Sequence, residues 1–261
     1  MSALSVSERQ PGVAQVTMSR PAVFNAFDEA MIAELDAAFM QLADDDRARV
    51  IVLAGDGRHF SAGADLQWMQ RASNASLEWN LDDARRFAAM LARIERCPKP
   101  TVARVQGGAL GGGVGLVCAC DMAVAADSAS FAVSEARFGI LPAVIGPYVV
   151  NAVGRRHAKR LALTTTRIPA AEALALGLVQ QVVPLEQLDA ALDATVSELL
   201  AGGPNAQREI KQLFSRLEAG PITPEVRELT AQTISRVRGS DEAREGFAAF
   251  LAKRPANWRP T

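Results

Sequence analysis

The stretch Val105–Cys120 reads VQGGALGGGVGLVCAC. A β-like apolar run, Pro100–Val105, feeds it. Gly111, Gly112 and Gly113 then open an apolar, helix-like segment. Such a turn leaves backbone N–H groups bare at a helix N-terminus, where they can hold developing negative charge. Twenty residues after Gly115 stands a carboxylate, Glu135, in an otherwise uncharged run. Ala132, Val133, Ala136 and Phe138 surround it with mostly apolar side chains. A carboxyl in that setting is expected to have a raised pKa and to trade protons near neutrality.

On either side of this stretch the pattern is α/β. Val13–Met18 alternates as a strand does, and Val50–Ala54 is a continuous apolar run suited to a buried strand. Between them Asp28–Leu42 has helical spacing at Met31, Leu35, Ala38, Phe39 and Leu42, with Asp28 as N-cap. Asp82–Arg96 repeats the helical pattern, and Thr101–Val105 and Met122–Ala125 read as further strands. This alternation predicts a largely parallel sheet with helices around it. After about residue 155 short helices follow one another: Arg156–Thr164, Ala170–Leu176, Leu188–Ala201, Pro204–Leu217, Pro224–Val237 and Asp241–Lys253. Only Leu178–Val183 interrupts them as a strand. Arg71–Asn80, RASNASLEWN, is the least regular segment and reads as a mobile loop.

Bulk properties narrow the function. The 261 residues fit one large domain, or one with a small appendage, and 49% hydrophobic content supports a substantial core. A net charge of −1 argues against a generally basic nucleic-acid binder. The three cysteines, Cys97, Cys118 and Cys120, are an odd number, and two lie in the apolar segment. They argue against a disulfide framework and for a reducing compartment. The N-terminus has no apolar signal core, and no uninterrupted apolar run reaches the roughly 18 residues of a membrane span. A cytoplasmic protein is expected, with no membrane or nucleic-acid partner.

The glycine cluster fails the nucleotide motifs. From Gly111 the sixth position is Leu116, not glycine, and no Lys follows Gly113. No GxSxG elbow is present. His59 and His157 lie far apart without metal-ligand companions, so no metal site is expected. What survives is a second small-residue turn, His59–Leu66, HFSAGADL, after the strand Val50–Ala54. Ala62, Gly63 and Ala64 again let backbone N–H groups approach a ligand. Two strand ends, each followed by such a turn and a helix, can place two donors around one oxygen, as an oxyanion hole requires.

Four pieces occur in order: SRPAVFNAF at Ser19–Phe27, HFSAGADL, GGALGGGVGL, and FAVSEARFGILP at Phe131–Pro142. The chain then closes with EGFAAFLAKRPANW. Along essentially its whole length it resembles the enoyl-CoA hydratase/isomerase superfamily, the crotonase fold. The resemblance implies a crotonase-type β-β-α spiral core over 1–200 and an all-helical C-terminal region over 201–261. It implies that the amides of Ala64 and Gly112 hold the thioester oxygen of an acyl-CoA and that Glu135 is catalytic. The loop Arg20–Ala26, with Val23 and Ala26, and the turn Ala62–Leu66, with Gly63, Asp65 and Leu66, would grip the CoA. Gly111 and Gly115 belong to the same substrate site. Phe247 and Lys253 resemble the part that reaches a neighbouring subunit's CoA in homotrimers or dimers of trimers. Acyl-CoA is then the substrate, and no separate cofactor is implied.

One departure stands out. Ordinary hydratases of this family carry a second glutamate at the position of Gly115, and two carboxylates there manage one water. The glycine-rich segment after the proline is also replaced here, by Ala143–Tyr148, AVIGPY. Both changes resemble bacterial 3-methylglutaconyl-CoA hydratases, associated with leucine breakdown. A hydratase of that type is expected. The alternatives are an enoyl-CoA isomerase, for which one glutamate suffices, and a non-catalytic acyl-CoA-binding homologue. Asp65 reads as a helix cap. Trp68 and Trp79 are candidate walls of an acyl pocket. Arg137 is a candidate partner for a second substrate carboxylate, and Tyr148 a candidate hydroxyl near the water.

Overall fold

The computed structural model describes residues 2–259. Its first half runs β1 (Leu4–Gln10), β2 (Val13–Met18), α1 (Glu29–Asp44), β3 (Val50–Gly55), α2 (Leu66–Ser73), α3 (Leu77–Glu95), β4 (Thr101–Val105), β5 (Gly108–Leu110), α4 (Gly112–Ala119), β6 (Met122–Ala126) and β7 (Ser130–Ala132). There follow α5 (Gly146–Thr164), β8 (Ile168–Pro169), α6 (Ala170–Ala175), β9 (Gln181–Val183), α7 (Leu188–Ala201), α8 (Pro204–Phe214), α9 (Pro224–Arg238) and α10 (Asp241–Leu251).

The larger sheet has the order β1-β2-β3-β4-β6-β9, and the smaller β5-β7-β8. Among the described residues only the β1–β2 and β7–β8 pairs are antiparallel. The chain alternates between the two sheets. β4 lies in the large sheet, turns at Gly107 (φ +59°), and becomes β5 of the small sheet before α4. β6 and β7 repeat that step before α5. β3 makes the same move in outline: its continuation reaches Ser61, which bridges Ala109 of β5 in parallel. These successive turns are the crotonase-type spiral.

Strand alternation explains how the large sheet is covered. Ile51, Leu53, Ala103 and Val105 face the main core with Leu35, Phe39, Leu91 and Leu116. Val50, Val52, Val102 and Val124 face the other side and pack on Leu188, Leu192 and Val196 of α7. Each fully buried Val, Leu, Ile or Phe side chain among them contributes roughly 1.5–3 kcal/mol of apolar transfer free energy. Both faces are covered, which is why the central strands read as unbroken apolar runs.

Several boundaries differ from the sequence reading. The segment Arg71–Asn80 is not a loop: α2 runs to Ser73 and α3 starts at Leu77. Ser76 caps α3 by accepting from the Trp79 amide, and the Asn80 side chain donates to Ala72 O at 2.9 Å. Polar side chains that signal a loop in sequence serve here as helix-end caps. α5 begins ten residues before Arg156, at Gly146, and passes a kink at Gly154 with φ +74°. The short strands β5 and β7 carry too few residues to show a period. No helix of the described residues is long and apolar enough to cross a membrane.

Candidate active site

The two small-residue turns meet. Ser61 N–H donates to Gly108 O at 3.1 Å, and Leu110 N–H to Ser61 O at 2.9 Å. Gly63 has φ +86°, and a Cβ there would lie 2.5 Å from Leu110 O and 3.2 Å from Gly112 N. Only glycine permits that approach. The neighbouring amides are used: Gly63 N–H donates to Ser61 Oγ, Asp65 N–H to Phe27 O, and Gly111 N–H to Ala132 O. The amides of Ala64 and Gly112 have no protein acceptor among these contacts. Gly112 is the first residue of α4, so its N–H also precedes the helical ladder.

Glu135 is set against this pair. It opens a short 3-10 turn, Glu135–Phe138, directly after β7. Its Oε1 would lie 3.3 Å from a Cβ on Gly111. Its Oε2 is buried without a hydrogen-bond partner. Burial pushes the carboxyl above its ordinary pKa, and backbone N–H contacts at Glu135 and Ser134 oppose this only in part.

A cavity of about 1020 Å³ joins these groups. Glu135, Ala64, Gly112, Gly111, Val23, Ala26, Ala62, Asp65 and Leu66 all line it. Gly63 does not; it is buried behind the wall as the hinge that lets the two turns touch. Gly115 does not either. A Cβ on Gly115 would lie 2.3 Å from Ile145 Cγ2, and it is Ile145 that lines the cavity. Phe247 is exposed, and neither it nor Lys253 reaches the cavity of its own chain.

At the cavity mouth, the buried Asn25 fixes the loop before α1. Its Oδ1 accepts from Arg20 N–H at 2.9 Å, and its Nδ2 donates to Asp56 O and His59 O, each at 2.8 Å. Arg20 then donates to Ala26 O and pairs with Asp28 and Asp65. Asp65 caps α2 by accepting from Gln67 and Trp68 amides, as its position after the turn predicts. His59 likewise serves structure: its Nδ1 accepts from Gly108 N–H at 2.7 Å.

The far wall holds residues that sequence reasoning left out. Phe27 is fully buried and would meet a Cβ on Gly112 at 2.3 Å. Phe87 stands 5.3 Å and Trp68 6.2 Å from Phe27 between ring centroids. Asp83, buried, lines the same wall. Of the two tryptophans named from sequence, Trp68 lines the cavity and Trp79 does not. Arg137 lines it and donates from Nε to Thr165 Oγ1 at 2.8 Å. Tyr148 is not among the lining residues; it packs on the core, with Glu95 and Arg96 as its nearby charges.

Comparison with known proteins follows the same outline. A family model described as enoyl-CoA hydratase/isomerase matches residues 8–261. The 2,3-dehydroadipyl-CoA hydratase of Escherichia coli is 32% identical over 261 residues, covering 99% of each chain. The crystal structure of an enoyl-CoA hydratase from Shewanella pealeana superposes with a TM-score of 0.94 at 39% identity, covering 98% of this chain and 96% of that one. Pseudomonas aeruginosa AtuE superposes with a TM-score of 0.93 at 37% identity, covering 99% and 100%.

Proposed function

This chain belongs to the enoyl-CoA hydratase/isomerase family, and we propose that it adds water to a 2-enoyl-CoA of branched glutaconyl type, such as 3-methylglutaconyl-CoA. The observation that carries the hydration chemistry is the pairing of two free amides, at Ala64 and Gly112, with the buried, half-unpartnered carboxyl of Glu135. The thioester oxygen sits between the amides. As the oxygen of a water molecule bonds to the β-carbon, Glu135 takes its proton, and the electron pair of the double bond moves onto the held oxygen as an enolate. The same carboxyl then returns the proton to the α-carbon. Losing one oxyanion donor costs about 3–4 kcal/mol of transition-state stabilisation.

The glutaconyl reading rests on the likeness of HFSAGADLQWMQ and SEARFGILPAVIGPYVV to that branch. A relative whose name denotes a 2-enoyl-CoA with a second carboxyl supports it. The C-terminal region from residue 201, helical through α8, α9 and α10, serves self-association, because α8 and α9 bury no residue of their own and Phe214, Ile234, Phe247 and Phe250 are exposed. In a homotrimer or dimer of trimers, Phe247 and Lys253 complete a neighbour's CoA site. Three free cysteines support a cytoplasmic location.

A second reading, isomerisation, is favoured by one observation: Ile145 fills the space beside Gly115, so the cavity has no carboxylate there. One base that removes and returns a proton is enough to move a double bond. The test offers crotonyl-CoA, 3-methylglutaconyl-CoA and a 3-enoyl-CoA in deuterated water and follows products by mass spectrometry. Hydration gives a product heavier by one water from a conjugated substrate. Isomerisation gives a conjugated product from the 3-enoyl-CoA without that gain. A folded Glu135→Gln protein with full hydration activity overturns the role of Glu135.

A further inference from the structure

Among the described residues three arginines line the cavity: Arg20, Arg137 and Arg167. Arg20 is committed to Asp28, Asp65 and Ala26 O. Arg137 and Arg167 pair with no acid among the described residues. Arg137 stands two residues after Glu135, on the same 3-10 turn. From Phe138 to Ile145 the lining of the cavity is apolar. A guanidinium keeps its charge at any working pH. Beside an apolar wall, its attraction for an anion is stronger than in open water.

Arg137 is also held in place. Thr165, which lines the same cavity, closes α5 at φ +51° and is only 7% exposed. A β-branched residue in the left-handed region is strained, and glycine is the common choice at such a helix end. Strain of this kind gathers where a side chain is needed for function. Here the hydroxyl has a use. It donates to Thr164 O at 2.7 Å, and its oxygen accepts from Arg137 Nε at 2.8 Å. Nε is thereby fixed, while Nη1 and Nη2 donate to no described residue. They remain as a planar pair of donors that matches the two oxygens of a carboxylate.

We propose that Arg137, oriented by Thr165, receives a carboxylate carried by the acyl group and so selects carboxyacyl-CoA thioesters over plain acyl-CoA. Arg137 is then a specificity residue and Thr165 a positioning residue. Two placements favour the acyl group over the phosphates of CoA as the source of the anion. Arg137 shares its turn with Glu135, the acid that faces the oxyanion hole. Arg167 belongs to the other end. After burial and Arg58, its charge lowers the pKa of His59, whose ring meets Phe24 edge-on with centroids 4.9 Å apart. Phe24 lies in the loop expected to grip CoA. This recognition rests on the glutaconyl reading above, but it concerns binding and is tested without turnover.

The test measures binding of two saturated probes, glutaryl-CoA and butyryl-CoA, by calorimetry on the full chain at neutral pH. The probes differ only by a terminal carboxylate. The wild type is expected to favour glutaryl-CoA at least about tenfold, as hydrogen bonds between charged groups do. In Arg137→Gln the two affinities converge, because glutaryl-CoA binding weakens and butyryl-CoA binding holds. Thr165→Ala lowers the ratio about threefold or more, since the guanidinium must then be ordered by the ligand. Thr165→Ser keeps the hydroxyl and retains the ratio, whereas a purely structural role for Thr165 would move both probes alike. Arg167→Gln leaves the ratio at the wild-type value. A wild type without preference, or an Arg137→Gln protein that keeps it, overturns the proposal. So does an equal loss of both probes in Arg137→Gln, which places a CoA phosphate on the guanidinium. A protein with the Arg137-dependent preference that hydrates no enoyl-CoA contradicts the hydratase reading instead, and leaves the carboxylate site standing.

Discussion

The side chain of Ile145 fills the space that a side chain on Gly115 would need: a Cβ at 115 would lie 2.3 Å from Ile145 Cγ2 and 2.9 Å from its Cβ. Leu91 Cδ1, at 3.7 Å, closes the same space from α3. The two positions are therefore one packing unit. Gly115→Glu alone is expected to destabilise the fold by about 3 kcal/mol or more, through overpacking and a buried charge. Adding Ile145→Gly removes the clash and recovers most of that loss. Denaturant midpoints of the two single variants and the double variant measure the coupling.

Gly112 faces a similar limit from Phe27, whose Cζ would lie 2.3 Å from a Cβ at 112. Gly112→Ala must move the ring or the N-terminus of α4. Either shift misplaces the amide that serves the oxyanion. The expected loss in kcat is roughly 10²–10³-fold, the range for removing one such donor. Steady-state kinetics checks it, with circular dichroism confirming that the helices remain.

Glu135 links activity and stability through one carboxyl. Its pKa in the folded state is raised by burial, so the native state binds more protons than the unfolded state between the two pKa values. Stability contributed by this group is present at low pH and lost as pH rises through the folded value. The ionised form that takes a proton from water is therefore also the less stable one. Glu135→Gln is expected to raise the melting temperature at neutral pH and to lower kcat at least about 100-fold. It should also remove the acidic limb of the kcat/KM profile. A variant with unchanged melting temperature and that limb intact contradicts the assignment.

The cysteines should be inert in the native protein. Burial pushes Cys118 up to about 12 and raises Cys120 further, and it also raises Cys97. Thiolate, the reactive form, is scarce at all three near neutral pH. A colorimetric thiol reagent at pH 8 is expected to modify none of them until denaturant is added, and then all three. Rapid modification before unfolding refutes this.

Ser76 marks where the sequence reading and the structure parted over Arg71–Asn80. Its hydroxyl accepts from the Trp79 amide and starts α3 five residues before the expected Asp82. Ser76→Ala is expected to cost about 1 kcal/mol, as lost N-caps do. A change below about 0.3 kcal/mol in a denaturant titration shows that the cap contributes little. The earlier start also explains why Asp83 went unnoticed. Taken as the second residue of a helix, it looks like a solvated first-turn acid. One turn further inside, it shares a face with Phe87 and Leu91 and turns inward.

By itself the sequence determined the strand and helix alternation, the two glycine turns and the acid that follows β7. These are local demands. Gly63, Gly107 and Gly111 need positive φ, buried strands need unbroken apolar runs, and caps need short polar side chains at fixed offsets. Such needs are written within a few residues and can be read there. Only the tertiary structure decided what fills the wall between the turns. Ile145 meets Gly115 across thirty residues of sequence, and Phe27 meets Gly112 across eighty-five. Asp83 and Trp68 face one cavity from different helices. Packing chooses such partners by shape and volume across the folded chain, and no local pattern records which residue will come to lie opposite which.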